Sequence, residues 1–236
     1  AHWRWQRLAA APAFAQRNVE ALSPVMEAAA AASLNRIAAA SGPVNIHAEM
    51  VAATFEVISD VTLSGGEGFD RQAVHKAIDS YISGTARLSV LDVLGAPRWV
   101  PRPGRLFTGP QMRRLKAVAD GVIEARLRQG ARGIPDLLDL LHAGSDPETG
   151  RRMTAAELRD NLLTFIVAGH ETTALTLAWG LYLCAFDPKV QQRAHTEARN
   201  ALGDRVAGAG DLPALGYIRQ IINEALRLYP PAALVT

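Results

Sequence analysis

Cysteine is nearly missing from this chain: Cys184 is the only one in 236 residues. A single thiol excludes any disulfide within the chain and fits a reducing compartment, so a cytoplasmic setting is expected. A surplus of one charge is missing too. With 25 Lys and Arg against 23 Asp and Glu, the formal net charge of +2 creates no field that would select nucleic acid or an anionic membrane. Arg113, Arg114 and Lys116 accordingly read as a solvated face rather than a recognition helix. Long apolar runs are lacking as well. The best window, Thr164 to Phe186, is broken by His170 and Glu171, and its remaining parts fall short of the roughly 18 residues that a membrane span needs. His2, Arg4 and Arg7 are followed by no apolar core of a signal peptide, so no secretory signal is expected. Strand-like alternation is almost absent.

What is present is helical pattern punctuated by glycine and proline. Hydrophobic residues make up 49% and charged residues 20% of the chain, an ordinary globular balance with material for a sizeable core. The expected fold class is mainly α. The periodicity predicts helices near His2 to Ala10, Val19 to Ala40, Ala48 to Thr62, Arg71 to Ser83, Gly109 to Arg128, Ile134 to Leu141, Ala155 to Ala185, Pro188 to Leu202 and Ile218 to Tyr229. Gly95 to Gly109, with Pro97, Pro101 and Pro103, reads as a surface loop. Thr154-Ala155-Ala156-Glu157 is a capping box that starts the longest helix, and Asp187-Pro188 starts the next.

Inside that longest helix lies Ala168-Gly169-His170-Glu171-Thr172-Thr173, a polar cluster in an apolar run. Leu162, Leu163, Phe165, Ile166 and Val167 precede it and Ala174, Leu175 and Leu177 follow, so burial is expected. A buried polar group without a partner costs about 1 to 3 kcal/mol. At about 100° per residue Ala168 and Thr172 share a face, and Glu171 projects to one side. Small side chains beneath a hydroxyl leave room for a flat or diatomic ligand, while Glu171 stands where it could pass protons. The same residues also suit a packing glycine, a threonine bonded within its own helix, and a solvent-facing glutamate.

Two further constellations bear on the choice. Glu224 and Arg227 place opposite charges at i,i+3 on a helix stopped by Pro230-Pro231, a spacing that taken alone more often marks a solvated surface pair. Trp3 and Arg7 share one face of the first helix, ahead of Pro12-Ala13-Phe14. An indole N–H beside a guanidinium suits a carboxylate or phosphate, although an amphipathic end helix with core tryptophans has the same pattern.

In this order, the three segments resemble the cytochrome P450 family of heme-thiolate monooxygenases. The resemblance runs from the family's helix C at His2 to Phe14, through its helix I at Ala168 to Thr173, to its helix K at Glu224 to Arg227. It implies that Trp3 and Arg7 hydrogen-bond a heme propionate and that Ala168 and Gly169 lie against the distal face of the heme. It implies that Glu171 and Thr172 deliver protons during oxygen activation, with His170 in a packing or solvent-facing role. Glu224 and Arg227 would be a buried structural ion pair. The partners implied are an apolar small-molecule substrate, O2, and an electron-donating reductase or ferredoxin.

The departures are equally specific. The family's cysteine loop, Phe-x-x-Gly-x-Arg-x-Cys-x-Gly, has no match here, nor do its first helices and most of its sheet. Cys184 sits in an apolar helix end, where burial raises a thiol's pKa and leaves it inert. The expectation is therefore one incomplete domain over residues 1–236, inactive alone, with no metal ligand of its own and the heme cysteine downstream. A zinc-protease reading of His170-Glu171 fails at Ala174, where a second histidine is needed. A non-catalytic helical ligand-binding or partner-binding protein would explain the apolar helices but leaves the three ordered motifs as coincidence.

Overall fold

The computed structural model describes residues 2–63, 108–130 and 133–232, and every element among them is helical. In chain order these are α1 (His2–Ala10), α2 (Gln16–Ala21), α3 (Ser23–Ala39), α4 (Ile46–Leu63), α5 (Thr108–Gln129), α6 (Leu137–Ala143), α7 (Ala155–Phe186), α8 (Pro188–Leu202) and α9 (Gly216–Leu228). Short 3-10 turns cover Ala11–Phe14 and Ala209–Ala214. The one strand-like pairing is an isolated bridge between Ser145 and Arg152, across a turn where Gly150 takes a φ of 71°. Among the described residues no helix is long and apolar enough to cross a membrane. The helix expected at Arg71 to Ser83, and the loop from Gly95 as far as residue 107, lie outside the described residues.

Most helix bounds follow the sequence signals, and two depart from them. The helix expected from Val19 to Ala40 is divided at Leu22, where α2 ends and α3 begins with Pro24 in its first turn. Proline lacks an N–H and its ring crowds the carbonyl four residues back, so a continuous helix through Pro24 is disfavoured. The helix expected from Ile134 starts instead at Leu137. Asp136 caps it by accepting from the Asp139 N–H at 2.9 Å, and Asp139 reaches back to the Asp136 N–H. Such a reciprocal cap satisfies two otherwise orphaned donors and outweighs apolar periodicity upstream.

The chain divides into two compact units, Ala1–Pro12 with Thr62–Val167, and Ala13–Val61 with Ala168–Thr236. In the first, Leu115, Ala119 and Ile123 on α5 and Leu158, Leu162 and Ile166 on α7 form buried stripes at the spacing of an amphipathic helix. Lys116 and Asp160 at 3.0 Å, with Arg159 and Asp120 at 3.1 Å, join α5 to α7 above those stripes. Arg126 is buried at the end of α5 and reaches Asp136 at 2.9 Å and Asp139 at 3.1 Å, tying α5 to the cap of α6. Burial pushes the Asp136 carboxyl up despite that guanidinium.

In the second unit Met50 of α4 packs with Ala174 and Ala178 of α7, joined by Ile37, Ile46, Val51 and Leu177. Gly180 lets α9 come close, since a Cβ there would lie 4.0 Å from the buried Ala225 methyl. The N-terminus of α9 follows Leu215, which offers no side-chain cap. Glu197 of α8 supplies one, accepting from the Tyr217 N–H at 2.7 and 3.0 Å and the Ile218 N–H at 2.9 Å. A carboxylate on two orphan donors also answers the positive end of the helix dipole.

Candidate functional site

Helix α7 starts as its sequence dictates. Thr154 accepts from the Glu157 N–H at 3.3 Å, and Glu157 accepts from the Thr154 N–H at 3.0 Å. From that start the 3.6-residue period places the second half of the helix against α4, with His170, Ala174 and Ala178 buried in one row. Ala168, Thr172 and Thr173 face outward, and Glu171 is half-buried. The expected burial of the whole cluster is thus corrected. One residue, His170, takes the buried position, 1% exposed with its ring edge-on to Phe55 at 5.8 Å.

Gly169 has a neighbour on α4: Ile58 Cδ1 lies 3.4 Å from where a Cβ would be, an ordinary van der Waals contact that leaves room for a methyl group. The stripe beside it is Ala168 and Thr172, both exposed, and the half-buried Thr176. The Thr172 hydroxyl donates to the Ala168 carbonyl at 2.7 Å, and the Thr176 hydroxyl donates to the Thr172 carbonyl at 2.9 Å. Both hydroxyls are folded against the helix, and the stripe is flat.

Beside that stripe opens a groove of about 410 Å³ lined by Thr172, Thr173, Thr176 and Leu177 of α7, Ile222 and Leu226 of α9, and Pro231 and Ala232. Small polar groups on one wall and aliphatic side chains on the other suit a flat apolar ligand laid along α7, with the Thr172 hydroxyl in reach of it. Neither Glu224 nor Arg227 is among these lining residues. Their pair forms with two hydrogen bonds, Nε to Oε2 at 2.8 Å and a terminal guanidinium nitrogen to Oε1 at 2.6 Å. Arg227 holds the Glu224 carboxyl below its ordinary range. The expected burial is not found: the side chains are 67% and 51% exposed, because the buried position of α9 is Ala225. A pair this exposed is screened by solvent and adds little to stability.

In the other unit, Trp3 and Arg7 share a face of α1 as expected, with the guanidinium carbon 5.2 Å from the indole ring. Trp3 is 69% exposed, which sets aside a core role for it. Gln6 anchors the helix by accepting from Asn161 of α7 at 3.4 Å, and Arg151 stacks on Trp5 at 4.0 Å. The exposed guanidinium, held over an aromatic face, suits an anionic group from outside.

Cys184 lines a separate groove with Val190, Tyr217 and Ile221, and burial pushes its thiol up, against thiolate formation. Among the described residues no cluster of His, Cys, Asp and Glu could hold a metal ion. One residue of the site escaped sequence reasoning. The Thr54 hydroxyl of α4 donates to the His170 carbonyl at 2.9 Å across 116 residues, and no local signal announces such a contact.

Comparison with known proteins bears on the fold. The chain is 41% identical over 139 residues, 59% of its length, to cyclooctat-9-en-7-ol 5-monooxygenase of Streptomyces melanosporofaciens, covering 30% of that protein. It is 30% identical over 236 residues, 99% of its length, to cyclooctatin synthase of the same organism, covering 50% of it. The crystal structure of the cytochrome P450DA heme domain superposes with a TM-score of 0.83 at 27% identity over 96% of this chain and 50% of that one. The chain therefore spans half the length, or less, of these relatives. Because a cytochrome P450 family profile matches residues 1–236 and the helical fold follows a solved member at that similarity, the chain belongs to the cytochrome P450 family.

Proposed function

We propose that the whole protein is a heme-thiolate monooxygenase that inserts one oxygen atom of O2 into an apolar organic substrate, with electrons from a reductase or ferredoxin. Residues 1–236 are one incomplete domain of it. The observation that carries this reading is the flat Ala168–Thr172 stripe bordered by the apolar groove of Leu177, Ile222 and Leu226. Those residues fit a planar apolar group. Heme, when bound, supplies the iron centre at which O2 is reduced. Its thiolate would come from a cysteine other than Cys184, whose half-buried thiol is pushed up by burial, against thiolate formation. By the family resemblance Trp3 and Arg7, which share a face of α1, would hydrogen-bond a heme propionate.

The protein's part in the chemistry is proton delivery. Thr172 donates to Ala168 in the resting helix, so it must give up that bond before its hydroxyl can donate into the groove. The exchange costs about 0.5 to 1.5 kcal/mol, the net worth of one hydrogen bond, which is small enough to be reversible during turnover. Glu171, next in sequence and half-buried, exchanges its proton with solvent. A positioned acid–base pair of this kind contributes about 10²- to 10⁴-fold. Ala168 and Gly169, the two small residues of this turn, would lie against the ligand, with Ile58 of α4 in van der Waals contact with Gly169.

The test uses the whole protein loaded with heme, reduced under carbon monoxide. A thiolate-type Soret band is expected, and its absence overturns the reading. Thr172→Ala should raise the share of electrons lost to peroxide while product falls. Unchanged coupling rejects the role of Thr172.

A further inference from the structure

Thr54 stands out because one hydroxyl proton faces three carbonyl oxygens. Met50 and Val51 on its own helix lie at 2.8 and 3.2 Å, and His170 on α7 lies at 2.9 Å. A threonine in a helix is satisfied by the carbonyl four residues back, so the reach to α7 is additional to what α4 requires. The residue is only 8% exposed, and water competes little for the hydroxyl. Its partner is the carbonyl of the peptide that joins His170 to Glu171, one residue before Thr172. The neighbours of Thr54 engage the same turn: Phe55 meets the His170 ring edge-on at 5.8 Å, and Ile58 lies in van der Waals contact with Gly169. Three positions of α4 thus hold two successive residues of α7.

From this geometry we infer that Thr54 is a positioning residue for the proton-delivering turn, a role that rests on the monooxygenase reading of Glu171 and Thr172. When the Thr172 hydroxyl leaves the Ala168 carbonyl, the turn from Ala168 to Thr172 loses one tie. The Thr54 hydroxyl, pointed at His170, keeps the His170–Glu171 peptide in place while that happens. Rotated to Met50, it lets go. Thr54 touches no ligand and acts only through the backbone of α7.

The experiment compares Thr54→Val, which keeps the shape and removes the hydroxyl, with Thr54→Ser, which keeps the hydroxyl, in the whole protein. Amide hydrogen exchange is read over residues 166–177 with and without heme, together with the share of electrons that ends as peroxide. Thr54→Val should speed exchange in that segment several-fold while α8 is unchanged, and should raise peroxide toward the Thr172→Ala level. Thr54→Ser should restore both, and Thr54→Val combined with Thr172→Ala should be no worse than Thr172→Ala alone. Faster exchange throughout α8 and α9, or a serine variant as impaired as the valine one, overturns the inference. Normal coupling in Thr54→Val beside an uncoupled Thr172→Ala also overturns it and leaves the monooxygenase reading standing. Normal coupling in Thr172→Ala rejects the role of Thr172 and overturns this inference with it, while absence of the thiolate-type Soret band is what overturns the monooxygenase reading.

Discussion

Gly169 shows how one residue type can be recognised in the sequence while its packing neighbour stays hidden. Its smallness is plain in the sequence, and the family pattern assigns it to the heme face. In the structure Ile58 stands over it, with Cδ1 and Cγ1 at 3.4 and 3.6 Å from where a Cβ would be, an ordinary van der Waals approach. Gly169→Ala should therefore be accommodated. Because glycine inside a helix is about 0.5 to 1 kcal/mol worse than alanine, the variant should be neutral or slightly more stable in denaturant unfolding, with heme content unchanged. Loss of heme at undiminished stability would show that the ligand needs the space at Gly169. For His170 the sequence left packing and solvent-facing roles open, and the structure buries it against partners no local signal names: Phe55 and Thr54 lie more than a hundred residues away in sequence.

At the scale of elements, Gly144 decides how α1 meets α6. A Cβ on Gly144 would sit 2.5 Å from the Ala9 carbonyl oxygen, a backbone atom that cannot swing aside. Gly144→Ala should cost about 1 to 3 kcal/mol by the overpacking it forces, and it should disturb the seat of α1. A lower melting temperature together with a shift in the fluorescence of Trp3 and Trp5 is the expected result, and an unchanged melt would show that α1 is not held there. Element starts were legible at the capping signals of Thr154 and Asp187. The break at Leu22 and the late start of α6 were missed because apolar periodicity was followed past a proline and past an aspartate pair. The Glu197 cap on α9 could not be read locally, since it joins residues 20 and 21 positions apart on different helices.

Across the whole molecule, acid should weaken both units through carboxylates that native partners keep ionised. Arg205 and the Gly208 N–H hold Asp211 down to about 2, with hydrogen bonds of 2.6 and 2.5 Å from the guanidinium. The Thr149 hydroxyl lowers Asp146 in the first unit, and Arg227 lowers Glu224 in the second. Unfolded carboxylates titrate at about 3.9 to 4.3, so this stability is fully present above that range and is lost as pH falls toward 2. Asp136 works in the other direction: burial raises it, and its ionised form weighs against the fold at neutral pH. Asp211→Asn should melt below the unsubstituted protein at pH 7, and the gap should close between about pH 4 and pH 2 in circular dichroism melts. A gap independent of pH would assign the loss to packing instead.

The sequence by itself determined the helical class, the capped starts of α7 and α8, the order of three motifs that marks the family, and the stripe shared by Ala168 and Thr172. Each of these follows from spacing along one helix, where a period of 3.6 residues sets which side chains share a face. Only the tertiary structure decided which face is turned inward. That choice belongs to the partner helix: α4, through Met50, Thr54 and Phe55, draws His170 and Ala174 into the interior and thereby turns Thr172 toward the groove.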